Sequence, residues 1–422
     1  MKHLGILLGG SSLNQGVYEK MKAMKLEVVV VDWNDQPAVL GDKHFKLDVK
    51  DHGEIILELE RYFSPFSIDF VYTSTDVAVP TMSKICEKFS LNFLSYDKAL
   101  NCLSKNKMCQ LWQKAGLLNR EHYLVQNSDQ LFSFFENQKS KHEDASNCKY
   151  IIKPNQASSS RGVSVFTLNQ FREFDDFLAL FEKTVAESLD QQAVIEEFIN
   201  GFECTVEMLG DGIGNVWTYA ISRKYHTDFA GKNKIAVKLH YNSLPVELQR
   251  KISLFSQDCY RALNLEKCFG HLEIMVREDG LFSPLEIGAR SSGFIASSLV
   301  DKVAGRDYLL DFYEILHGNN FQKNGIFLSE ISDSSSMYFF YDLMPGKPIK
   351  CKEDFKKYLP LGVTSLYSDD SRIQKGAVFS EIGSDNHRIG YEILVGEKQE
   401  LTYEAIEKSE RSFFQAIFDF SI

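Results

Sequence analysis

The hydrophobic positions along the chain follow two regimes. In the first ~95 residues the apolar runs are short and unbroken: LGILL at 4–8, EVVVVD at 27–32 and FVYT at 70–73. Stretches at 17–25, 54–62 and 80–89 lie between or after them and carry helical spacing. Unbroken β-branched runs alternating with helices predict parallel strands covered on both faces, hence a small open α/β sheet. From Tyr96 the pattern changes. Residues 97–116 place Leu100, Leu103, Met108, Leu111 and Trp112 near helical spacing and predict one helix. Strands are predicted at 150–153, 193–198, 203–209, 216–222, 270–276 and 281–287, and helices at 169–188 and 245–263. Gly210-Asp211-Gly212 and Glu278-Asp279-Gly280 are hairpin signals, so this part reads as mostly antiparallel α+β. Polar stretches at 138–147 and 224–238 are expected as an exposed connection and a long flexible loop. The last ~90 residues mix short strands (336–341, 376–379, 390–395) with turns and close on an amphipathic helix at 403–418.

A chain of 422 residues exceeds one ordinary core and is expected to form two to four domains. Its 44% hydrophobic and 25% charged residues are those of a soluble globular protein. With a net charge of −11 there is no general electrostatic case for nucleic acid or an anionic membrane surface, so anionic ligands must meet local cations. The eight cysteines, at 86, 102, 109, 148, 204, 259, 268 and 351, form no C-x-x-C pair and have no histidine at zinc-ligand spacing. They read as free thiols in a reducing compartment. The opening apolar run, only about five residues, falls short of a secretory signal, and no run approaches a membrane span. A cytoplasmic protein is expected. The turn GGSSLNQG after the first strand lacks the G-x-G-x-x-G spacing of a dinucleotide site, and Asp32 can either bind a hydroxyl or cap the next turn.

Four stretches carry chemistry. In KPNQASSSRGV, Lys153 ends a β-run and a Ser-rich turn follows, able to aim amides and hydroxyls at phosphate oxygens. Lys107, in SKNKM, is a second candidate cation. A polar hairpin with an ordinary strand-end lysine is the competing reading. VIEEFINGFECTVE sets Glu196 and Glu203 seven residues apart around Gly201, suited to an adenine edge and to ribose hydroxyls, or to a solvated acidic turn. HLEIMVREDGLFSPLEIGAR is the strongest. Glu273 and Glu286 lie on two strands joined by a tight turn, in apolar surroundings where two carboxylates repel unless a cation or proton lies between them. Magnesium fits such a pair together with triphosphate oxygens. Arg290, four residues on, can stabilise charge on a transferred phosphoryl group. His271 shares the strand face of Glu273 and either touches substrate or is a satisfied core histidine. Arg223, Lys224, His226 and Lys238 either bind an anionic substrate or belong to a solvated loop.

Taken in order, these stretches resemble the ATP-grasp superfamily in its carboxylate–amine ligase branch, over nearly the whole chain. The resemblance implies an α/β and α+β architecture. Residues 1–97 would form the pre-ATP-grasp domain, and 98–325 the ATP-grasp core, with a nucleotide lobe to about 200 and a metal lobe after it. Residues 326–422 would form a small β-rich closing domain. It also implies ATP as the nucleotide, held by Lys107, Lys153, Ser158, Ser159, Ser160 and Gly162, and by Glu196, Glu197, Ile199 and Glu203. Magnesium or manganese would sit on Glu273 and Glu286. Arg290, Lys153 and His271 would be the catalytic groups. The implied reaction joins a small-molecule carboxylate to an amine through an acyl phosphate, with no nucleic acid or membrane partner and with a homodimer possible. Alternatives are a bicarbonate-using carboxylase and a catalytically silent ATP-binding regulatory protein. One departure stands out: the family's E-x-N-x-R reads here Glu286-Ile287-Gly288-Ala289-Arg290, so a side-chain ligand is missing at 288.

Overall fold

The computed structural model describes residues 3–419 apart from 64–67, 119, 142–147, 159, 172, 228–234, 319–327 and 384–386, and among these the strands form three sheets. The first holds β1 (Leu4–Leu8), α1 (Gln15–Ala23), β2 (Glu27–Asp32), β3 (Lys43–Lys46), α2 (His52–Tyr62), β4 (Ile68–Thr73) and α3 (Val79–Lys88). Its four strands run parallel in the order β3-β2-β1-β4. Val28 to Val31 are fully buried, as a two-sided parallel strand requires. The short, polar β3 carries no such run and is invisible to the pattern. Asp32 serves the turn, accepting from the amides of Gly10 (2.7 Å) and Asn34 (2.8 Å).

The helix predicted over 97–116 is two: α4 (Tyr96–Asn101) and α5 (Lys105–Lys114). Ser104 breaks the run, its extended backbone and hydroxyl capping the amide of Lys107 at 3.3 Å. There follow β5 (His122–Val125), α6 (Ser128–Lys141), β6 (Lys149–Pro154), β7 (Ser164–Thr167), α7 (Phe174–Val185) and β8 (Ala193–Glu197). They build an antiparallel sheet, β5-β8-β6-β7, over a core rich in Phe134, Phe135, Phe166, Phe177 and Phe181. The helix expected over 169–188 is shorter at both ends, with a 3-10 turn at Leu168–Gln170 before it.

The third sheet is the frame of the molecule. Its elements are β9 (Gly201–Gly210), β10 (Val216–His226), β11 (Ala236–Tyr241), α8 (Val246–Ala262), β12 (Phe269–Arg277), β13 (Phe282–Gly288), α9 (Phe294–Ala304), α10 (Tyr308–Leu316), β14 (Ser334–Phe340), β15 (Thr364–Asp369), β16 (Tyr391–Glu397) and α11 (Tyr403–Ile417). The strand order is β13-β12-β9-β10-β11-β14-β16-β15, antiparallel throughout. The polar stretch at 224–238 is therefore mostly strand and not a loop: β10 runs to His226 and β11 begins at Ala236, with 228–234 outside the described residues. Lys224 and His226 are paired with carboxylates across the ladder, which composition cannot show. Residues 376–379 form no strand. They make separate hydrogen bonds to the loop at 346–349, where the Gly346 amide donates to the Phe379 carbonyl and the Ile349 amide to the Ala377 carbonyl, each at 2.9 Å. The N-terminal sheet docks on this frame through aromatic rings, Phe70 and Tyr72 packing against Phe312 and Phe269.

His240, on β11, is buried beside Ser335 and its imidazole is pushed down to about 4, chiefly because burial penalises the charged ring. Unfolded chain binds a proton below about 6.5 and native chain does not until about 4, so stability falls as pH drops through that window. At about 1.4 kcal/mol per unit, the loss reaches about 3 kcal/mol. His240→Gln should flatten the melting temperature against pH between 6.5 and 4 relative to wild type, measured by calorimetry.

Candidate active site

The period-two alternation of strands sorts β9, β12 and their neighbours into an apolar and a charged face. Cys204, Val206, Met208, Leu272, Ile274 and Ile287 enter one buried cluster. Glu203, Thr205 and Glu207 on β9 point the other way. Register places Glu207 opposite His271, Thr205 opposite Glu273 and Glu203 opposite Met275. On the outer side Glu273 is opposite Glu286, and His271 opposite Gly288. The two carboxylates expected to share a cation are thus direct cross-strand partners on one face.

Each of them meets an ammonium group. Lys224 Nζ lies 2.5 Å from both Glu273 and Glu203, and His226 Nε2 lies 3.2 Å from the other oxygen of Glu203. Burial opposes the charged forms here, yet the ion pairs prevail: Lys224 is pushed up, while Glu203 and Glu273 are held below the usual carboxylate range. Glu286 pairs with Lys105 at 2.9 Å. Lys105 also donates to the carbonyl of Ala157, in the turn after Lys153, at 2.8 Å.

The structure turns a different lysine of SKNKM toward these carboxylates. Lys105, buried, faces the site, whereas Lys107 is exposed on the opposite side of α5. The signal was present in the helix phase. Lys105 shares the buried stripe of Met108, Cys109 and Trp112 at i, i+3, i+4 and i+7, and Lys107 does not.

Lys153, at the end of β6, donates to Glu196 of β8 at 2.8 Å. Glu196 is itself only 1% exposed and accepts from Arg120 Nε and NH2 at 3.3 and 3.1 Å and from the Cys109 thiol at 3.4 Å. Burial disfavours its charge, but Arg120 and Lys153 hold the carboxyl well below its ordinary range; burial also pushes the Cys109 thiol up to about 12. The side chain of Glu196 is thus committed to Lys153 and Arg120, while Glu197 beside it is exposed and Ile199 half-buried. Arg120 also reaches β13, donating to Ser283 Oγ (2.6 Å) and the Pro284 carbonyl (2.7 Å), so it ties the Lys153 sheet to the strand of Glu286. Nothing in the sequence pattern marks Arg120.

In the Ser-rich turn, Ser158 and Ser160 border Ser159, which lies outside the described residues. Gly162 has φ +65°, and an added Cβ would lie 3.0–3.2 Å from Pro154 and Glu187. Arg290 is gripped by Asp76, Nε to Oδ1 and NH2 to Oδ2 both at 2.8 Å, and donates from NH1 to the Ser291 carbonyl. His271 Nδ1 lies 2.8 Å from Glu207 and its Nε2 3.8 Å from Glu273. Burial lowers its basicity, but the two glutamates outweigh burial and raise it to about 9, so near neutral pH the ring is an imidazolium. Among the described residues, the other two candidate cations of this region are also engaged. Lys238 pairs with Glu410 of α11 at 2.7 Å, and the Arg223 guanidinium stacks on Phe202 and Tyr225.

A family of ATP-grasp domains matches residues 146–298, the span holding Lys153, Glu196, Glu273, Glu286 and Arg290. The chain carries an ATP-grasp domain. Alanine–anticapsin ligase of Bacillus subtilis (strain 168) is 24% identical over 278 residues, 61% of this chain and 56% of that ligase. D-alanine–D-alanine ligase of Cupriavidus pinatubonensis is 30% identical over 166 residues, 36% of this chain and 46% of that enzyme. The chain thus spans about half the length of the curated relatives it matches. The crystal structure of L-amino acid ligase from Bacillus licheniformis superposes with a TM-score of 0.71 over 100% of both chains at 18% identity, which establishes a shared ATP-grasp fold.

Within that ATP-grasp fold, the site's two lysines are separable by mutation. Lys105→Ala should weaken binding of a fluorescent ATP analogue at least tenfold by loss of a buried charge–phosphate contact, while Lys107→Ala should stay within twofold. Equal effects would return the role to Lys107. Arg120→Met leaves Glu196 with one cation and should cost about 3–5 kcal/mol in denaturant unfolding, the penalty of breaking a buried ion pair.

Proposed function

We propose that this protein is an ATP-dependent carboxylate–amine ligase that makes an amide or peptide bond through an acyl phosphate. The observation carrying this reading is the direct pairing of Glu273 with Glu286 on one sheet face, with Lys105 spanning from Glu286 to the turn that follows Lys153. Glu273 and Glu286 offer hard oxygen donors at neighbouring positions, a set that suits magnesium or manganese, and the lysines now neutralising them can turn to phosphate oxygens. Glu273 and Glu286 would hold the ion, which when bound would supply Lewis-acid charge stabilisation for phosphoryl transfer.

Lys105 and Lys153 supply the positive charge for the triphosphate, and the turn at 157–162 supplies amides and hydroxyls. The substrate carboxylate oxygen attacks the γ-phosphorus, the β–γ bond breaks and ADP leaves. Arg290 would supply a guanidinium to neutralise the acyl phosphate. The amine nitrogen then attacks the acyl carbon, loses a proton, and phosphate departs. His271, already protonated near neutral pH, serves as a donor and fixed charge here and not as the base for the amine. The names of the matched relatives favour amino acids as both acid and amine, alanine first among them. The same reading takes 1–97, 98–325 and 326–422 as the three functional parts. It places the protein in the cytoplasm, in keeping with eight free cysteines and with the absence, among the described residues, of any helix long and apolar enough to cross a membrane. A homodimer is part of the proposal.

The test is a phosphate-release screen with MgATP, pairing alanine with the other amino acids and including labelled bicarbonate. A productive amino-acid pair should give equimolar ADP and phosphate. Glu286→Gln and Lys153→Ala should each lower that rate by about 10²-fold or more with an unchanged circular dichroism spectrum. Turnover only with bicarbonate, or near-wild-type rates in both variants, would overturn the assignment.

A further inference from the structure

Gly288 departs from the E-x-N-x-R pattern, and the structure shows what fills its place. Glu286, Gly288 and Arg290 alternate along the β13 exit. A Cβ built on Gly288 would lie 2.6 Å from Asp76 Oδ1, closer than real side chains approach, and 3.2 Å from Arg290 Cγ. Asp76 belongs to a different sheet: it follows β4, in the 3-10 turn Asp76–Ala78 that leads into α3. It reaches across to grip Arg290 through both carboxylate oxygens, each at 2.8 Å. A second link runs beside it, Tyr72 Oη of β4 lying 2.5 Å from Ser291 Oγ.

We propose that Asp76 is the positioning residue for Arg290, and that glycine at 288 exists to admit it. This rests on the ligase reading for what Arg290 does, but not for the geometry. A guanidinium carries five donors on a long flexible stem. Held bidentately by a fixed carboxylate, it loses most of its freedom before substrate arrives, so the orientation needed at the acyl phosphate is already set. The grip comes from the N-terminal sheet, so the arginine is aimed only when that sheet is docked on the large one. A side chain at 288 would force the Asp76 carboxylate out of its present position against Arg290. This chain has kept the carboxylate, and the metal lobe gives up a side-chain oxygen at 288 in exchange for a fixed arginine.

Four proteins decide the matter: wild type, Asp76→Ala, Gly288→Asn and the double variant. Gly288→Asn alone should lower the melting temperature by several degrees, because the new side chain collides with Asp76. In the double variant the collision is gone, and it should melt above Gly288→Asn. An equal penalty for Gly288→Asn with or without Asp76 would overturn the volume argument. On the substrate pair found by the screen, Asp76→Asn, which keeps volume and removes charge, should lower kcat roughly tenfold or more and leave the KM for ATP within twofold. Asp76→Glu should recover part of that loss. A change confined to the KM for ATP, or unchanged kcat, would overturn the positioning role. If the screen finds no turnover, the ligase reading has failed, while the melting comparison still decides whether Asp76 and Gly288 are matched.

Discussion

Charge taken out of water must be met by opposite charge within reach, and this condition shapes the cleft. Glu196, Glu203, Glu207, Glu273, Glu286 and Asp76 would each be costly to bury alone. Lys153 and Arg120, Lys224, His271, Lys105 and Arg290 answer them at hydrogen-bonding distance. The partners come from different elements: Lys105 from α5, Lys153 from β6, Lys224 from β10, Asp76 from the N-terminal sheet. Satisfying the pairs therefore assembles the lobes. Under the proposed function the same pairs would be exchanged for a ligand that carries both signs, as a nucleotide with its metal does.

Two shells of this network differ in what they can do. Glu196 and Arg120 are almost wholly enclosed and committed to one another; they are structural supports that set the direction of Lys153. Glu273 and Glu286, with side chains 20% and 33% exposed, are more open to solvent, as the proposed cation exchange would require. The aromatic interface between Phe70, Tyr72, Phe269 and Phe312 then fixes the N-terminal sheet relative to the large one, without which Asp76 would not reach Arg290.

Most of the fold was legible where local pattern and tertiary role agree. EVVVVD and LGILL announce parallel strands because burial on both faces demands unbroken apolar runs, and HLEIMV announces its two faces by strict alternation. Short polar strands such as KHFK carry no such signature, and the 224–238 stretch reads as loop because the partners of Lys224, His226 and Lys238 lie on other elements. In the site, Glu273 and Glu286 were legible because a tight hairpin fixes their register. Lys105 and Lys107 differ in burial, and the helix stripe distinguishes them. Arg120 and Asp76 were beyond reach, since each acquires meaning only from a partner more than 70 residues away.

The eight-stranded sheet does not stop where the ATP-grasp segment does. β14 hydrogen-bonds directly to β11, and β16 and β15 continue the ladder. The seam between the central and C-terminal parts is thus a row of backbone hydrogen bonds and not a tether. Cutting the chain there would bare an unpaired strand edge of the kind that recruits other chains, so the C-terminal part is better regarded as the sheet's edge protection than as an appendage that evolution could add or shed at will.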